Sequence, residues 1–250
     1  MFDLTGKKAI VTGGNRGLGR GIAEGLCEQG AQVVIIASSS SVYDTAEGMR
    51  ANGHQVQAAR GDLSDPVCLK KVFEEAVDLL GGRVDILVNN AGVQKRARCE
   101  DFSYEDWTTV MRVNLDAVFL TCQLAGRLML AQGSGRIINV ASMLSFFGGY
   151  TVPAYAASKG GVAQLTKALS NEWASRGICV NAIAPGYMDT EMNVNLLNDE
   201  SRYAEITKRI PKGRWGKPED MKGIVAFLAS DASDYINGAI IPIDGGYLAR

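Results

Sequence analysis

The stretch Lys8-Ala9-Ile10-Val11-Thr12-Gly13-Gly14-Asn15-Arg16-Gly17-Leu18-Gly19 decides how this chain folds. Its apolar start predicts a short buried strand, and the spacing of Ile22 and Leu26 after it predicts a helix that stops at Gly30. Glycines between a strand and a helix let backbone N–H groups approach a pyrophosphate, whose charge the helix dipole favours. The spacing Thr-Gly-x-x-x-Gly-x-Gly therefore predicts a phosphate cradle rather than only a structural turn. The residues expected to contact the nucleotide here are Gly13, Asn15, Arg16, Gly17, Leu18 and Gly19.

The next strand, Gln32–Ala37, completes a βαβ unit and ends without an acidic residue. Units that bind NAD usually place a carboxylate there for the ribose hydroxyls, whereas this chain continues with Ser38-Ser39-Ser40-Ser41. Arg16 can pair with a 2′-phosphate, and Ser38 and Ser39 can donate hydrogen bonds to it. The alternative is a polar loop that only caps the following helix. We lean to NADP(H), and NAD(H) stays open.

Two further strand ends carry candidate nucleotide contacts. Asp62 and Leu63 follow a third strand, where a carboxylate can accept from an adenine amino group, although the segment can equally begin the next helix. The strand at 84–88 ends in Asn89-Asn90-Ala91-Gly92, and small residues at a strand's carboxyl end open the crevice where ligands bind in such sheets. The expected contacts at this turn are Asn90, Ala91 and Gly92.

Three cations follow this turn, in Gln94-Lys95-Arg96-Ala97-Arg98. They are either solvated or contact a substrate that carries a carboxylate. A carboxylate-bearing substrate explains them better than a neutral lipid.

The acid/base candidates lie between residues 142 and 159. Tyr155 and Lys159 are four residues apart, so on a helix they share one face, and a cation beside a phenol favours the phenolate. Ser142, after the apolar run 136–141, can donate a hydrogen bond to a substrate oxygen. Asn114 is a polar amide among apolar neighbours in the predicted helix 104–131 and needs partners if it is buried. It either holds a water molecule or satisfies a kink in the backbone.

Composition narrows the classes of function. The net charge is −1 and no dense basic run is present, so we expect no nucleic-acid partner. The start resembles no signal peptide and no apolar run approaches the length of a membrane span, so we expect a cytoplasmic protein without a membrane partner. The five cysteines are scattered and the one histidine, His54, lacks nearby carboxylates, so we expect no disulfides, no metal site and no histidine-based triad.

Strands and helices alternate from end to end, without repeats or a linker. This pattern predicts one α/β domain over residues 1–250, a Rossmann-like, doubly wound parallel sheet of about seven strands in a three-layer αβα arrangement. Residues from about 187 to 214 lose the strand rhythm, and we interpret them as a substrate-covering insertion with one helix near residues 200–208.

The ordered set Thr12-Gly13-x-x-x-Gly17-x-Gly19, Asp62, Asn89-Asn90-Ala91-Gly92, Asn114, Ser142, Tyr155-x-x-x-Lys159 and Pro185-Gly186 with Thr190 resembles the classical short-chain dehydrogenase/reductase family. The resemblance implies that Tyr155 exchanges a proton with the substrate oxygen, that Lys159 lowers the Tyr155 pKa and binds the nicotinamide ribose, and that Ser142 polarises the carbonyl. It implies that Asn114 anchors a water molecule. It also implies a homotetramer and further cofactor contacts at Tyr155, Lys159, Pro185, Gly186, Met188 and Thr190.

The ending Asp244-Gly245-Gly246-Tyr247 and the segment Arg209-Ile210-Pro211-x-Gly213-Arg214-Trp215-Gly216 resemble members that act on sugar acids. We therefore expect an NAD(P)-dependent oxidoreductase acting on a secondary alcohol or ketone of a sugar acid, of the 3-deoxy-hexulosonate or gluconate type. One alternative is a reductase of 3-ketoacyl thioesters or other small ketones, and another is a nucleotide-binding protein without turnover. The expected substrate contacts are Gln94, Arg96, Ser142, Met143, Leu144, Gly149, Tyr155 and Tyr187, with Arg96 as first choice for the carboxylate.

Overall fold

Seven parallel strands form one sheet in the computed structural model, which describes residues 2–250. The strand order is β3-β2-β1-β4-β5-β6-β7. The strands are β1 (Lys8–Thr12), β2 (Gln32–Ala37), β3 (Val56–Arg60), β4 (Ile86–Asn89), β5 (Gly135–Val140), β6 (Ile178–Pro185) and β7 (Ile240–Ile243). The order reverses between β1 and β4, and this switch point is where such sheets bind ligands. The predicted sheet is confirmed in strand number and direction.

Nine α-helices connect and cover the strands in the described residues. They are α1 (Gly17–Glu28), α2 (Ser41–Ala51), α3 (Pro66–Leu79), α4 (Tyr104–Met111), α5 (Ala117–Gln132), α6 (Pro153–Trp173), α7 (Val194–Leu197), α8 (Glu200–Arg209) and α9 (Lys222–Ala229). The apolar faces of α1, α2 and α9 pack on one side of the sheet, and those of α3, α5 and α6 pack on the other. The predicted three layers follow from these two separate cores.

The predicted continuous helix 104–131 is wrong in one detail. A π-helical turn, Arg112–Asp116, separates α4 from α5 and contains Asn114. Such turns occur where a side chain is needed out of α-helical register, often at functional sites. The whole run Tyr104–Gln132 is long and apolar enough, by length and composition alone, to cross a membrane. In the fold, 44% of its most apolar window is buried, chiefly against the sheet.

Residues 187–214 form a projecting segment, which we call the lid. It contains α7 and α8 and a short 3-10 turn, Glu191–Asn193, where the sequence indicated one helix. Its two ends are joined at a neck, where Met188 and Gly216 form an isolated parallel bridge. Arg214 donates two hydrogen bonds, of 2.7 and 2.8 Å, to the Asp220 carboxylate next to the neck. These bonds lower the pKa of Asp220 to about 2, so the pair remains ionised at neutral pH.

Candidate active site

The loop between β1 and α1 fits a phosphate group. Arg16 precedes the helix in an extended conformation and its side chain does not cap the helix, so no side chain satisfies the first N–H groups of α1. Gly17 has φ +51°, which favours glycine. A Cβ on Gly19 would lie only 2.0 Å from the Gly13 carbonyl oxygen. The glycines therefore permit a tight loop whose backbone donors point out of the strand end.

Thr12 ties this loop to the Asn-Asn-Ala-Gly turn, a role that the sequence did not predict. Its hydroxyl oxygen accepts from the backbone N–H groups of Asn90 and Ala91, at 3.0 and 3.1 Å. The Asn90 side chain in turn donates to the carbonyl oxygens of Thr12 and Gly13, each at 3.1 Å. Asn90 lies where a nucleotide contact was predicted, but its amide holds the cradle in shape. The signal available in the sequence was a hydroxyl residue at the end of a buried strand.

A cavity of about 520 Å³ lies beyond the cradle, at the end of β2. The predicted phosphate contacts Arg16, Ser38 and Ser39 all line it, together with the unpredicted Glu191 of the lid. Asn15 also lines the cavity and donates to the Ser41 hydroxyl at 3.1 Å. The structure thus brings the glycine loop, the serine run and the lid to one place.

The two predicted contacts after β3 are arranged differently from each other. The Asp62 carboxylate accepts from the backbone and hydroxyl of Ser64, at 2.9 and 2.8 Å, and so supports the turn into α3. Leu63 is 8% exposed and packs in the core beside β2 and α3. Asp62 is exposed and keeps an open side toward solvent.

Ser142 and Tyr155 are brought together at the carboxyl end of β5. Ser142 begins a short 3-10 turn, where its hydroxyl oxygen accepts from Leu144 N at 3.2 Å. The next turn residue, Ser145, donates from its hydroxyl to the Lys159 carbonyl at 2.7 Å. This bond joins the Ser142 turn to α6, which carries Tyr155. Ser145 was not among the predicted site residues, and only the fold shows its function.

The protein raises the pKa of Tyr155 rather than lowering it, contrary to the expectation for a phenol beside a lysine. Burial is the main cause, and a hydrogen bond with Ser142 and the positive charge of Arg96 oppose it. The Lys159 ammonium lies 5.6 Å from the ring centroid but donates instead to the Val140 carbonyl oxygen, at 2.5 Å. Burial also lowers the Lys159 pKa to about 8. At neutral pH the phenol is therefore protonated.

Asn114 is fully buried at the π-helical turn and has protein partners for its whole amide. Its oxygen accepts from Val93 N at 2.8 Å, and its nitrogen donates to Val93 O at 2.9 Å and to the Ser158 hydroxyl at 3.3 Å. The π-helical turn is a departure from α-helical register at this residue, and the water molecule that the resemblance implies stays a prediction. Asn114 therefore joins the turn after β4 to α6 at Ser158, the residue directly before Lys159.

The three cations Lys95, Arg96 and Arg98 follow the Asn-Asn-Ala-Gly turn, and we call the segment 94–98 that carries them the rim. Their surroundings differ. Lys95 pairs with Asp106 at 3.2 Å, and Arg98 is exposed. Arg96 contacts the Gln94 side-chain oxygen at 3.3 Å and is the cation whose charge acts on Tyr155. Ala97 N donates to Thr151 O at 3.1 Å and so ties this rim to the segment before α6. All three cations are exposed, and Arg96 is the one whose charge acts on the phenol.

The lid side of the site is apolar and aromatic. Tyr187 packs against Trp215 and Tyr247, with ring centroids 5.2 and 5.4 Å apart. Met143 is buried in the same cluster, which we call the lid core. Leu144 and Gly149 lie in contact with each other beside it, since a Cβ on Gly149 would approach Leu144 to 2.9 Å.

The remaining predicted cofactor contacts lie at the base of the lid. Gly186 follows Pro185 at the end of β6 and donates from N to Ile243 O at 3.0 Å. Met188 is buried at the neck. Thr190 lies 3.8 Å from the position that a Cβ on Gly17 would take, so the lid lies over the cradle.

The residues present fit a nicotinamide dinucleotide. The uncapped helix start and the tight glycine loop suit a pyrophosphate, while the buried Lys159, which has no carboxylate partner in residues 2–250, suits a neutral polar group. No group of three or more potential metal-ligating side chains occurs in that range.

Comparison with known proteins agrees with this geometry. Residues 13–248 match the family model described as enoyl-(acyl carrier protein) reductase. The 2-dehydro-3-deoxy-D-gluconate 5-dehydrogenase of Bacillus subtilis is 49% identical over 100% of this chain and 97% of its own. A solved structure provisionally assigned as a 2-deoxy-D-gluconate 3-dehydrogenase from Agrobacterium tumefaciens, with bound NADP, is 49% identical with TM-score 0.93, covering 100% of this chain and 99% of that one. A gluconate 5-dehydrogenase from Burkholderia cenocepacia, in complex with NADP and tartrate, is 40% identical with TM-score 0.95, covering 100% of this chain and 98% of that one.

Fold, site and relatives together define an NAD(P)-dependent oxidoreductase that acts on CH–OH groups. The chain belongs to the short-chain dehydrogenase/reductase family. The resemblance drawn from the sequence motifs, including the closer likeness to sugar-acid dehydrogenases, is confirmed.

Proposed function

We propose that this protein interconverts a secondary alcohol and a ketone on a sugar acid, of the 3-deoxy-hexulosonate or gluconate type, with NADP(H) as the favoured cofactor. The observation that carries the substrate class is the exposed Arg96 of the turn after β4, whose positive charge acts on the Tyr155 phenol and lowers its pKa. Arginine binds a carboxylate through two parallel hydrogen bonds, so it can fix one end of the substrate while the other end meets the phenol. The relatives named as sugar-acid dehydrogenases support the same class.

The residue roles follow from their chemistry. When bound, the nicotinamide supplies or accepts the hydride. Ser142 donates a hydrogen bond to the substrate oxygen, and Tyr155, whose phenol is protonated at neutral pH, transfers its proton to that oxygen during reduction. Lys159 places a positive charge on the face of α6 that carries Tyr155. Its pKa of about 8 lets the ammonium lose or gain a proton near neutral pH. Asn114 holds the substrate rim and α6 together.

The cofactor preference rests on the end of β2. No carboxylate of β2 or of the serine run is present there to repel a 2′-phosphate, and Arg16, Ser38 and Ser39 line one cavity. The structures of relatives with NADP support the preference.

Oligomeric state and location belong to the same proposal. We propose a cytoplasmic homotetramer. Phe119 on α5 and Tyr104 on α4 are 45% and 80% exposed, and burial between subunits would remove these apolar groups from water. Sedimentation velocity of the purified protein measures this directly.

The test of the function is nicotinamide absorbance with a panel of sugar acids and matched neutral ketones, each with NAD(H) and NADP(H). We expect turnover of sugar acids, and we expect Tyr155→Phe to lower kcat by about 10²–10⁴-fold because the proton donor is lost. Arg96→Gln should raise the KM for sugar acids about tenfold or more, while Arg98→Gln serves as the matched control and should leave it unchanged.

A 3-ketoacyl-thioester reductase is the second candidate, since the matching family model is described as an acyl-carrier-protein reductase. Turnover of acyl thioesters in preference to sugar acids, with a KM indifferent to Arg96→Gln, would replace our proposal with this one. Retention of full activity by Tyr155→Phe would remove the assigned chemistry altogether.

A further inference from the structure

A carboxylate from the lid reaches the cavity at the end of β2. Glu191 begins the 3-10 turn that follows Thr190, and its Oε2 lies 2.7 Å from a terminal guanidinium nitrogen of Arg16. The two residues are 175 positions apart in the chain, so only the fold brings them together. The acidic group that β2 lacks is thus supplied from another part of the chain.

This ion pair changes the charge of the cavity. Arg16 and Arg20 are the two cations among the lining residues, and each is paired, Arg16 with Glu191 and Arg20 with Glu24. A 2′-phosphate that takes Arg16 must therefore displace the Glu191 carboxylate and then lie near it. A 2′-hydroxyl meets no such competition, since it can donate a hydrogen bond to a carboxylate.

We propose that Glu191 is a cofactor-specificity residue, whose carboxylate competes with a 2′-phosphate for Arg16 and shifts the preference of the cavity toward a 2′-hydroxyl. The inference rests on the proposed dinucleotide site, but it concerns the adenosine end alone and is independent of the sugar-acid substrate. Because Glu191 belongs to the lid, occupation of Arg16 by a phosphate also removes one contact between the lid and the cradle.

The size of the effect follows from exposure. Both side chains of the pair are 70% exposed, and ion pairs of this kind are weak and screened by salt. We therefore expect Glu191 to change the preference about two- to fivefold, and the change to shrink as the salt concentration rises.

The experiment measures binding of two adenosine fragments to the whole protein by calorimetry, without substrate or turnover. The fragments are 2′,5′-ADP, which carries the 2′-phosphate, and 5′-AMP, which does not. Glu191→Gln keeps the size of the side chain and removes its charge. We expect it to tighten 2′,5′-ADP about two- to fivefold and to leave 5′-AMP unchanged or weaker.

Asp189→Asn is the matched control, since it removes the same charge two residues away. Asp189 is exposed and forms no ion pair in residues 2–250. The Asp189→Asn variant should leave the ratio of the affinities for 2′,5′-ADP and 5′-AMP unchanged. In an Arg16→Gln background, Glu191→Gln should lose its effect, because the guanidinium for which the Glu191 carboxylate and the 2′-phosphate compete is absent.

Three results would overturn the inference: no change in the ratio with Glu191→Gln, an equal change with Asp189→Asn, or the full effect persisting without Arg16. None of these touches the sugar-acid proposal, which depends on the turnover panel. Conversely, failure of every sugar acid as a substrate leaves the fragment measurements valid.

Discussion

Arg96 has two separable effects on the reaction, because it offers both a binding partner and a charge. Its guanidinium suits a substrate carboxylate, and its charge opposes the burial that raises the Tyr155 pKa. Oxidation of an alcohol requires the phenolate, so whatever stabilises the phenolate extends activity to lower pH. If Arg96 binds the substrate as proposed, one side chain would contribute to both the substrate affinity and the pH range of activity.

We expect Arg96→Gln to move the pH profile of kcat for alcohol oxidation to higher pH. Removing the positive charge leaves burial less opposed, so the Tyr155 pKa rises further and the phenolate forms only at more alkaline pH. Initial rates at saturating substrate, measured across pH 6–11, test this. Arg98→Gln should leave the profile in place, and an acid shift for Arg96→Gln would contradict the assignment.

At the scale of elements, the π-helical turn at Asn114 explains how α6 and the substrate rim keep their relative positions. The turn places one amide between Val93 after β4 and Ser158 on α6. Together with the bond from Ala97 N to Thr151 O, this amide fixes the segment that carries Gln94 and Arg96 relative to α6. A local departure from α-helical register thus serves a longer-range alignment.

Asn114→Ala should destabilise the protein by about 1–3 kcal/mol, since it leaves the half-buried Val93 backbone groups without these partners. Urea unfolding measures this, and kcat of the folded variant should also fall. Asn198→Ala on the exposed lid is the control and should stay within about 0.5 kcal/mol of the unmodified protein. Equal stability of the two variants would mean that the Asn114 contacts contribute nothing.

The sequence predicted regular elements well, because their signals are local. Apolar runs gave the strands, and the glycine spacing placed the cradle at the start of α1. The sequence did not predict the π-helical turn, because its amide contacts Val93 in another segment and the spacing of apolar residues does not reveal such a contact. The Arg16–Glu191 pair was not predicted for the same reason. The residues Ser142, Tyr155 and Asn114 were predictable as a set, but the hydrogen bonds of Ser145 and Ser158 to them emerged only from the fold, as did those of Thr12 to the turn at Asn90.

For the molecule as a whole, buried ionisable groups fix how stability depends on alkaline pH. Burial lowers the Lys159 pKa from 10.5 to about 8 and raises those of the Cys27 and Cys122 thiols from 9.0 to about 12. The buried lysine favours the neutral form, so its contribution to folding increases with pH from about 8 to 10.5. The buried thiols resist ionisation, so each loses stabilisation as pH rises from 9 toward 12.

We expect the free energy of unfolding of the protein without cofactor to rise only slightly between pH 8 and 9, by about 0.3 kcal/mol, because the two thiols offset most of the Lys159 contribution. Above pH 9 it should fall, where two thiols outweigh one lysine. Urea unfolding at intervals from pH 7 to 10.5 tests this. Cys27→Ala removes one thiol and should make the decline above pH 9 shallower. A monotonic fall from pH 7 would contradict the assigned Lys159 contribution.

The neck at Met188 and Gly216 brings the two ends of the lid together, while the lid core and the Arg16–Glu191 ion pair hold the lid against the rest of the fold. Because both ends of the lid enter and leave side by side, a segment of different length or composition can be joined there without displacing β6 or α9. Recombination or sequence drift within the lid can then alter which substrates are accepted, while the cofactor and catalytic residues at the sheet stay unchanged. Replacement of the lid between its adjacent ends is thus a route by which new substrate specificities arise while the rest of the active site is kept.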